Sequence, residues 1–155
     1  MNQRAGVRFE PLSPRWNSAW RAHYLRYAEA VNSPADDAIA TTVWSWLLAH
    51  AHGLEGIVAL DGDEIAGFAH FRPFPRTLDG NEACFLDDVW VAERHRGRGV
   101  AQALIAEVAT IARQRGWTHV RWVTETDNLA GQRVYEKVAK RMDLLTYRLD
   151  TSDRR

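Results

Sequence analysis

One cysteine in 155 residues, Cys84, removes any internal disulfide and any cysteine-built zinc cluster from consideration. With no basic cluster beside it, Cys84 reads as a buried, inert thiol rather than a nucleophile. Neither charge is in excess. Twenty Lys and Arg balance twenty Asp and Glu, so no overall field favours nucleic acid or an anionic membrane as partner. Long apolar runs are missing, and Met1-Asn2-Gln3-Arg4 leads into no signal-peptide core; a cytoplasmic location with no membrane association is expected. The six histidines, His23, His50, His52, His70, His95 and His119, show no metal-ligand spacing, so no metal is expected. Neither internal repeats nor low-complexity segments occur. With 46% apolar and 26% charged residues, the chain reads as one ordinary domain, 1–155, able to bury a real core.

What is present centres on Phe85 to Ala101. An apolar stretch through Val91 reads as a strand, Arg94-His95-Arg96-Gly97-Arg98-Gly99 as a turn, and the residues after it as an amphipathic helix. A glycine-bearing turn feeding a helix start leaves backbone N–H groups unpaired, and the helix dipole adds about half a positive charge there. With Arg94, Arg96 and Arg98 alongside, a phosphate-bearing ligand is the natural guest. Two other phosphate motifs are excluded. Gln102 breaks the dinucleotide pattern Gly-x-Gly-x-x-Gly, and no Gly-Lys-Ser/Thr of a P-loop occurs.

Along the chain, Val7–Glu10 alternates as a first strand ended by Pro11. Ser13-Pro14 opens a helix carrying Trp16, Trp20, Tyr24 and Tyr27 as a stripe of core spacing, and Asp36 or Asp37 caps another reaching about His50, stopped by Gly53. Gly56–Leu60 and Glu64–Phe74 form strands around an Asp61-Gly62-Asp63 turn, the second bounded by Pro73 and Pro75. Glu82–Val91 is the fourth strand, about Arg98–Arg115 the third helix, His119–Val123 the fifth strand, Asn128 to about Ala139 the fourth helix, and Leu144–Leu149 the last strand. Hairpins followed by a βαβ crossover predict an α/β mixed sheet, flanked by about four helices.

Arg96-Gly97-Arg98-Gly99-Val100-Ala101 resembles the Arg/Gln-x-x-Gly-x-Gly/Ala motif of the GNAT superfamily of N-acetyltransferases, and Asn128-Leu129-Ala130-Gly131-Gln132-Arg133-Val134-Tyr135-Glu136-Lys137 resembles its second motif. The element order is also similar, which implies the family's six- to seven-stranded sheet. The resemblance implies acetyl-CoA as cosubstrate, with its pyrophosphate on the amides and side chains of Arg96, Gly97, Arg98, Gly99, Val100, Ala101 and Gln102. It implies pantetheine contacts along Val89, Trp90 and Val91, where the fourth strand splays from the fifth, and at Asn128 and Gly131. Gly131 stands where the family more often has alanine, and Val138-Ala139 replaces its usual Gly-Phe.

Tyr135 corresponds to the family's proton donor to the departing thiolate, and a phenol pKa near 10 suits that task. The other reading of Tyr135 is a side chain that packs the fourth helix, and of Asn128, a helix cap. Because a primary amine of pKa about 10 is mostly protonated at neutral pH, the reaction also needs a proton acceptor. Leu86-Asp87-Asp88-Val89 resembles the acidic stretch of diamine acetyltransferases. Adjacent strand residues point to opposite faces unless a bulge intervenes, so one of the pair is expected to face the cleft. Asp87 is the expected base; Glu82 and a water chain are the alternatives.

For the acceptor amine, the helical half and later loop offer Tyr24, Tyr27, Glu29, Asn32, Asp36, Asp37, Phe71, Phe74 and Arg76. Aromatics with carboxylates suit a cation, and core aromatics with solvated acids would look the same. The acidic pair tilts the reading toward a polyamine or lysine-type amine. Two other classes stay open: an acyl-CoA-binding or sensing module without turnover, and a nucleotide-binding interaction protein using the same turn. Seven tryptophans and the family's frequent dimers leave a homodimer as one further expectation.

Overall fold

In the computed structural model, which describes residues 5–152, the apolar runs of the middle third become an antiparallel meander. Strands β1 (Arg8–Pro11), β2 (Glu55–Asp61), β3 (Glu64–Arg76) and β4 (Asn81–Val91) lie side by side in chain order, and β5 (Val120–Arg121) adds to β4 in parallel. Helices α1 (Asn17–Ala30) and α2 (Asp37–Ala49) fall between β1 and β2. Helix α3 (Val100–Gln114) makes the crossover from β4 to β5, and α4 (Leu129–Tyr135) follows. Two compact units divide the chain: one through Val123, holding the whole sheet and α1 to α3, and one from Thr124, holding α4.

Period-two alternation divides the sheet between two cores. One face buries Val58, Leu60 and Phe68 with Trp16, Trp20, Trp44 and Leu47 from the α1 and α2 side. The tryptophan stripe is therefore core, with Trp20 at 0% exposure, while Tyr24 and Tyr27 pack only partly against it. On the other face α3 packs over β3 and β4, burying Val100, Leu104, Val108 and Ala112 at helical spacing.

Gly67 lies on β3 beneath α3, with Leu104 close above it. A Cβ there would press into the backbone carbonyl of Trp90 and against Leu104. Gly67→Ala is expected to destabilise the fold by about 1–3 kcal/mol, roughly 3–10 °C in a thermal melt. An unchanged melting temperature would mean that the strands separate freely at this point.

Several boundaries differ from the sequence expectation. Among the described residues the sheet has five strands rather than six or seven. Leu144–Leu149 forms no strand; Leu145, Tyr147 and Leu149 are exposed, so nothing there covers the apolar positions that suggested one. The fifth strand shrinks to Val120–Arg121, and the fourth helix ends at Tyr135. Ser13 makes no side-chain cap; a short 3-10 turn over Pro14–Trp16 precedes α1. Asp36 caps α2 through Ile39 N–H at 2.9 Å, and His50, with φ 51°, ends it before Gly53 is reached. Strand β3 runs through Pro73 and Pro75 instead of stopping. Its ladder to β2 ends at Glu55↔Phe71, so the prolines fall where one edge has no hydrogen bonds to lose.

Candidate active site

The acidic pair is placed by a bulge in β4. His70 pairs with Asp88 and Phe71 with Leu86, leaving Asp87 as an extra residue without a partner on β3. Simple alternation would put Phe85 and Asp88 on opposite faces. The extra residue brings both to the face that carries His70 and Arg72, and Asp87 reaches the same cavity. The expectation that only one acid faces the cleft therefore gives way to both. That cavity, about 420 Å³, is walled by Tyr24 and Tyr27 of α1, Val43 and Trp46 of α2, and His70, Arg72, Asp87 and Asp88 of the sheet.

The two carboxylates differ in what holds them. Asp88 accepts from Tyr27 Oη at 2.7 Å and pairs through Oδ2 with His70 Nδ1 at 2.9 Å, while Trp20 Nε1–H donates to His70 Nε2 at 2.9 Å. An indole N–H can only donate, so Nε2 carries the lone pair and Nδ1 the hydrogen that goes to Asp88. Burial alone would push the Asp88 carboxyl up, but the bonds from His70 and Tyr27 outweigh it and hold the group below the usual carboxylate range. Asp87 is held by Arg72, whose Nε lies 3.2 Å and 3.1 Å from its two oxygens. Burial raises the Asp87 carboxyl above its ordinary range, and Arg72 offsets only part of that. Asp87 is thus the more basic carboxylate and Asp88 the more firmly held one.

Strand β4 leads from this cavity to the arginine–glycine turn. Its ladder to β5 covers only Cys84↔Val120 and Phe85↔Arg121, so beyond Phe85 one edge is open among the described residues. Ala92 N–H donates to Ala66 O on the β3 side at 2.9 Å, while Val91 O accepts from Arg96 Nε at 3.1 Å. By alternation the N–H groups of Val89 and Val91 face the open edge. Trp90 departs from the expected trio: its backbone turns toward β3, and its ring lies under the Arg96 guanidinium at 4.8 Å.

At the turn itself, Gly97 and Gly99 have φ of 75° and 78°, a region closed to most side chains. Gly99 is the N-cap of α3, so the N–H groups of Val100, Ala101 and Gln102 have no partner within the helix. Nothing lies within 4 Å of where a Cβ of Gly97 would stand. His95 is buried beneath the turn, with Nε2 3.2 Å from Asp61. Arg94 is paired to Glu64 at 2.5 Å, whereas Arg98 only approaches Asp61, at 4.0 Å. Open amides, permissive glycines and an exposed arginine fit the phosphates of a coenzyme.

Within the second unit Asn128 caps α4: its Oδ1 accepts from Gly131 N–H at 3.1 Å, and its Nδ2 donates to Thr124 Oγ1 at 2.9 Å. A Cβ on Gly131 would press against the end of the Asn128 side chain as it stands in this cap. Tyr135 closes α4, and burial pushes its phenol pKa up.

Other candidates scatter. Glu82 accepts from Trp117 Nε1 at 3.2 Å and does not line the cavity. Glu29 and Asn32 are exposed, Asp36 is a cap, Asp37 faces Arg21, Phe71 is buried at 1%, and Phe74 contacts Phe85. Arg76 pairs with Asp79. Cys84 is buried, its thiol pushed up to about 12 by burial and the Asp87 charge. His70 and Arg72 were not anticipated from sequence. Only their even spacing with Phe68 on one strand face could have marked them.

Comparison with known proteins agrees with this geometry. The acetyltransferase (GNAT) family profile matches residues 16–139. The chain is 33% identical over 136 residues to D-amino-acid N-acetyltransferase HPA3 of Saccharomyces cerevisiae, covering 86% of this chain and 81% of that protein. It is 31% identical over 101 residues to N-acetyltransferase 8 of Rattus norvegicus, spanning 61% of this chain and less than half, 46%, of that protein. Among solved structures, a ribosomal-protein-alanine N-acetyltransferase from Brucella melitensis biovar Abortus 2308 superposes with TM-score 0.78 at 25% identity, over 93% of this chain and 98% of that one. A probable acetyltransferase superposes with TM-score 0.84 at 24% identity, over 94% and 99%. The chain belongs to the GNAT family of acetyltransferases. It is an N-acetyltransferase, an enzyme whose reaction is transfer of an acetyl group to an amine.

Proposed function

We propose that this enzyme transfers acetyl from acetyl-CoA directly to a small primary amine held in the Asp87–Asp88 cavity. The observation that carries the reading is the β4 bulge, which turns both acids into one cavity at the head of a strand whose open edge runs to the phosphate-type turn. The names of the relatives share acetyl transfer to an amine and diverge in acceptor, so the cavity has to supply the acceptor's chemistry.

Val100, Ala101 and Gln102 amides with Arg98 hold the pyrophosphate, Gly97 and Gly99 let it approach, and Arg96 braces the turn on Val91 O and Trp90. The cosubstrate supplies an acetyl group activated as a thioester. Val89 N–H bonds the pantetheine arm and Val91 N–H the acetyl carbonyl, where negative charge develops. Asp87 takes the proton from the ammonium, directly or through one water, so that nitrogen bonds the carbonyl carbon as the carbon–sulfur bond breaks. Tyr135 stands at the motif position of the family's proton donor to the sulfur, and on that correspondence it is assigned the role. Its raised pKa keeps the phenol protonated at neutral pH. Asn128 and Gly131 are assigned to the pantetheine by the same motif correspondence.

The test is thiol release from acetyl-CoA against a panel of amines: amino acids, spermidine, lysine peptides and aminoglycosides. Turnover on one class with saturation in both substrates supports the reading; its absence on all of them, with acetyl-CoA failing to raise the melting temperature, overturns it. In the same assay Tyr135→Phe is expected to lower kcat by about 10²–10⁴-fold with little change in KM for acetyl-CoA. Unchanged kcat would return Tyr135 to a packing role.

A further inference from the structure

The cavity holds one cation where a purely cationic substrate would want none. Arg72 is half-exposed on the cavity wall, its Nε engaged by both oxygens of Asp87 and its guanidinium carbon 4.8 Å over the Phe85 ring. Those contacts use only the Nε edge of the fork. A guanidinium carries five N–H donors, and among the described residues the four on the two Nη atoms have no partner, which leaves them for a ligand in the geometry that pairs with a carboxylate. A positive charge beside the acid that must receive the substrate's ammonium would weaken binding of a plain polyamine by like-charge repulsion.

The arrangement becomes favourable if the substrate brings its own anion. In an α-amino acid the nitrogen lies only about 2.5 Å from the carboxyl carbon, two bonds away. A carboxylate and a guanidinium in contact at 3.1 Å match that dipole with signs reversed. Past the charged pair, the wall is apolar: Val31, Val43, Trp46 and Leu54 line the same cavity. A volume of about 420 Å³ holds a large side chain there. We infer that Arg72 is a specificity-determining residue that binds the substrate's carboxylate, and that the acceptor is the α-amine of a free amino acid with a large apolar side chain.

This inference rests on the acetyl-transfer reading, and its test separates the two. Initial rates are measured by thiol release for phenylalanine and leucine, for their carboxamides, for phenethylamine and isoamylamine, and for spermidine. Wild-type enzyme is expected to favour the amino acids over their amides and amines by about 10–100-fold in kcat/KM, the range of a lost charge-assisted hydrogen bond. Arg72→Met should collapse the acid-over-amide and acid-over-amine ratios of kcat/KM toward one; the ratio is the readout, because losing the Asp87 contact acts on every acceptor. Arg72→Lys should restore part of the preference. Were Arg72 only a brace for Asp87, Arg72→Met would change all acceptors alike and leave those ratios as in the wild type, and that outcome overturns the inference. Equal use of acid and amide by the wild type overturns it without any variant and leaves acetyl transfer standing. No turnover on any acceptor, including spermidine, defeats both.

Discussion

Asp87→Asn is expected to lower kcat/KM for amine acetylation by about 10²–10⁴-fold, the usual weight of a positioned general base. The melting temperature should stay near that of the wild type. Asparagine keeps the shape and one acceptor for Arg72 Nε, and burial disfavours the charge that is removed. The pH profile supplies a second readout. The active form needs Asp87 ionised, so the rate falls as pH drops through its pKa, and burial sets that limb above the ordinary carboxylate range. Removing Arg72, which lowers the Asp87 pKa, should move the limb further up. Asp87→Asn should lose the limb altogether. A variant within a few-fold of wild type, with the limb intact, would assign the proton to another acceptor such as Asp88.

His70→Leu is expected to be the most destabilising single change at the site, by about 2–4 kcal/mol. It strands the Trp20 indole N–H, in a side chain 0% exposed, and takes from Asp88 one of its two donors. Denaturant unfolding would read this as a lower midpoint, and the gap between variant and wild type should depend on pH. The Asp88 pKa is depressed in the fold, so its contribution is complete above the unfolded carboxylate value, near 4, and is lost as pH falls through the lower folded value. The gap should therefore narrow in acid, down to the share owed to Trp20 and packing. A constant gap from neutral to strongly acidic pH would mean that His70 acts through Trp20 and packing, with no contribution from Asp88.

The two motifs lie largely where spacing placed them, because both are local. Gly97 and Gly99 adopt positive φ within one turn, and α3 begins at the next residue with its apolar stripe against the sheet. Asn128 caps α4 three residues before the N–H it accepts. Residues near each other in sequence need only propensity and capping to meet. The final strand failed for the converse reason. Leu144–Leu149 carries the alternation of a strand, yet a strand exists only where a neighbouring edge receives it.

The acid pair shows the boundary most clearly. That Asp87 and Asp88 neighbour a glycine-rich turn was written in the chain; that both enter one cavity was not, since alternation assigns them to opposite faces. The β4 bulge decides it, and the bulge is a mismatch between two strands rather than a property of either. Arg72, 15 residues from Asp87, and Trp20, 50 residues from His70, became partners only through the register of β3 with β4 and the packing of α1 on the sheet. The sequence by itself determined the family, the phosphate-type turn and the presence of carboxylates on β4. Only tertiary structure decided which acid is held, which remains basic and what cation stands beside it, because those are energies of desolvation and pairing that exist only once distant residues share one low-dielectric space.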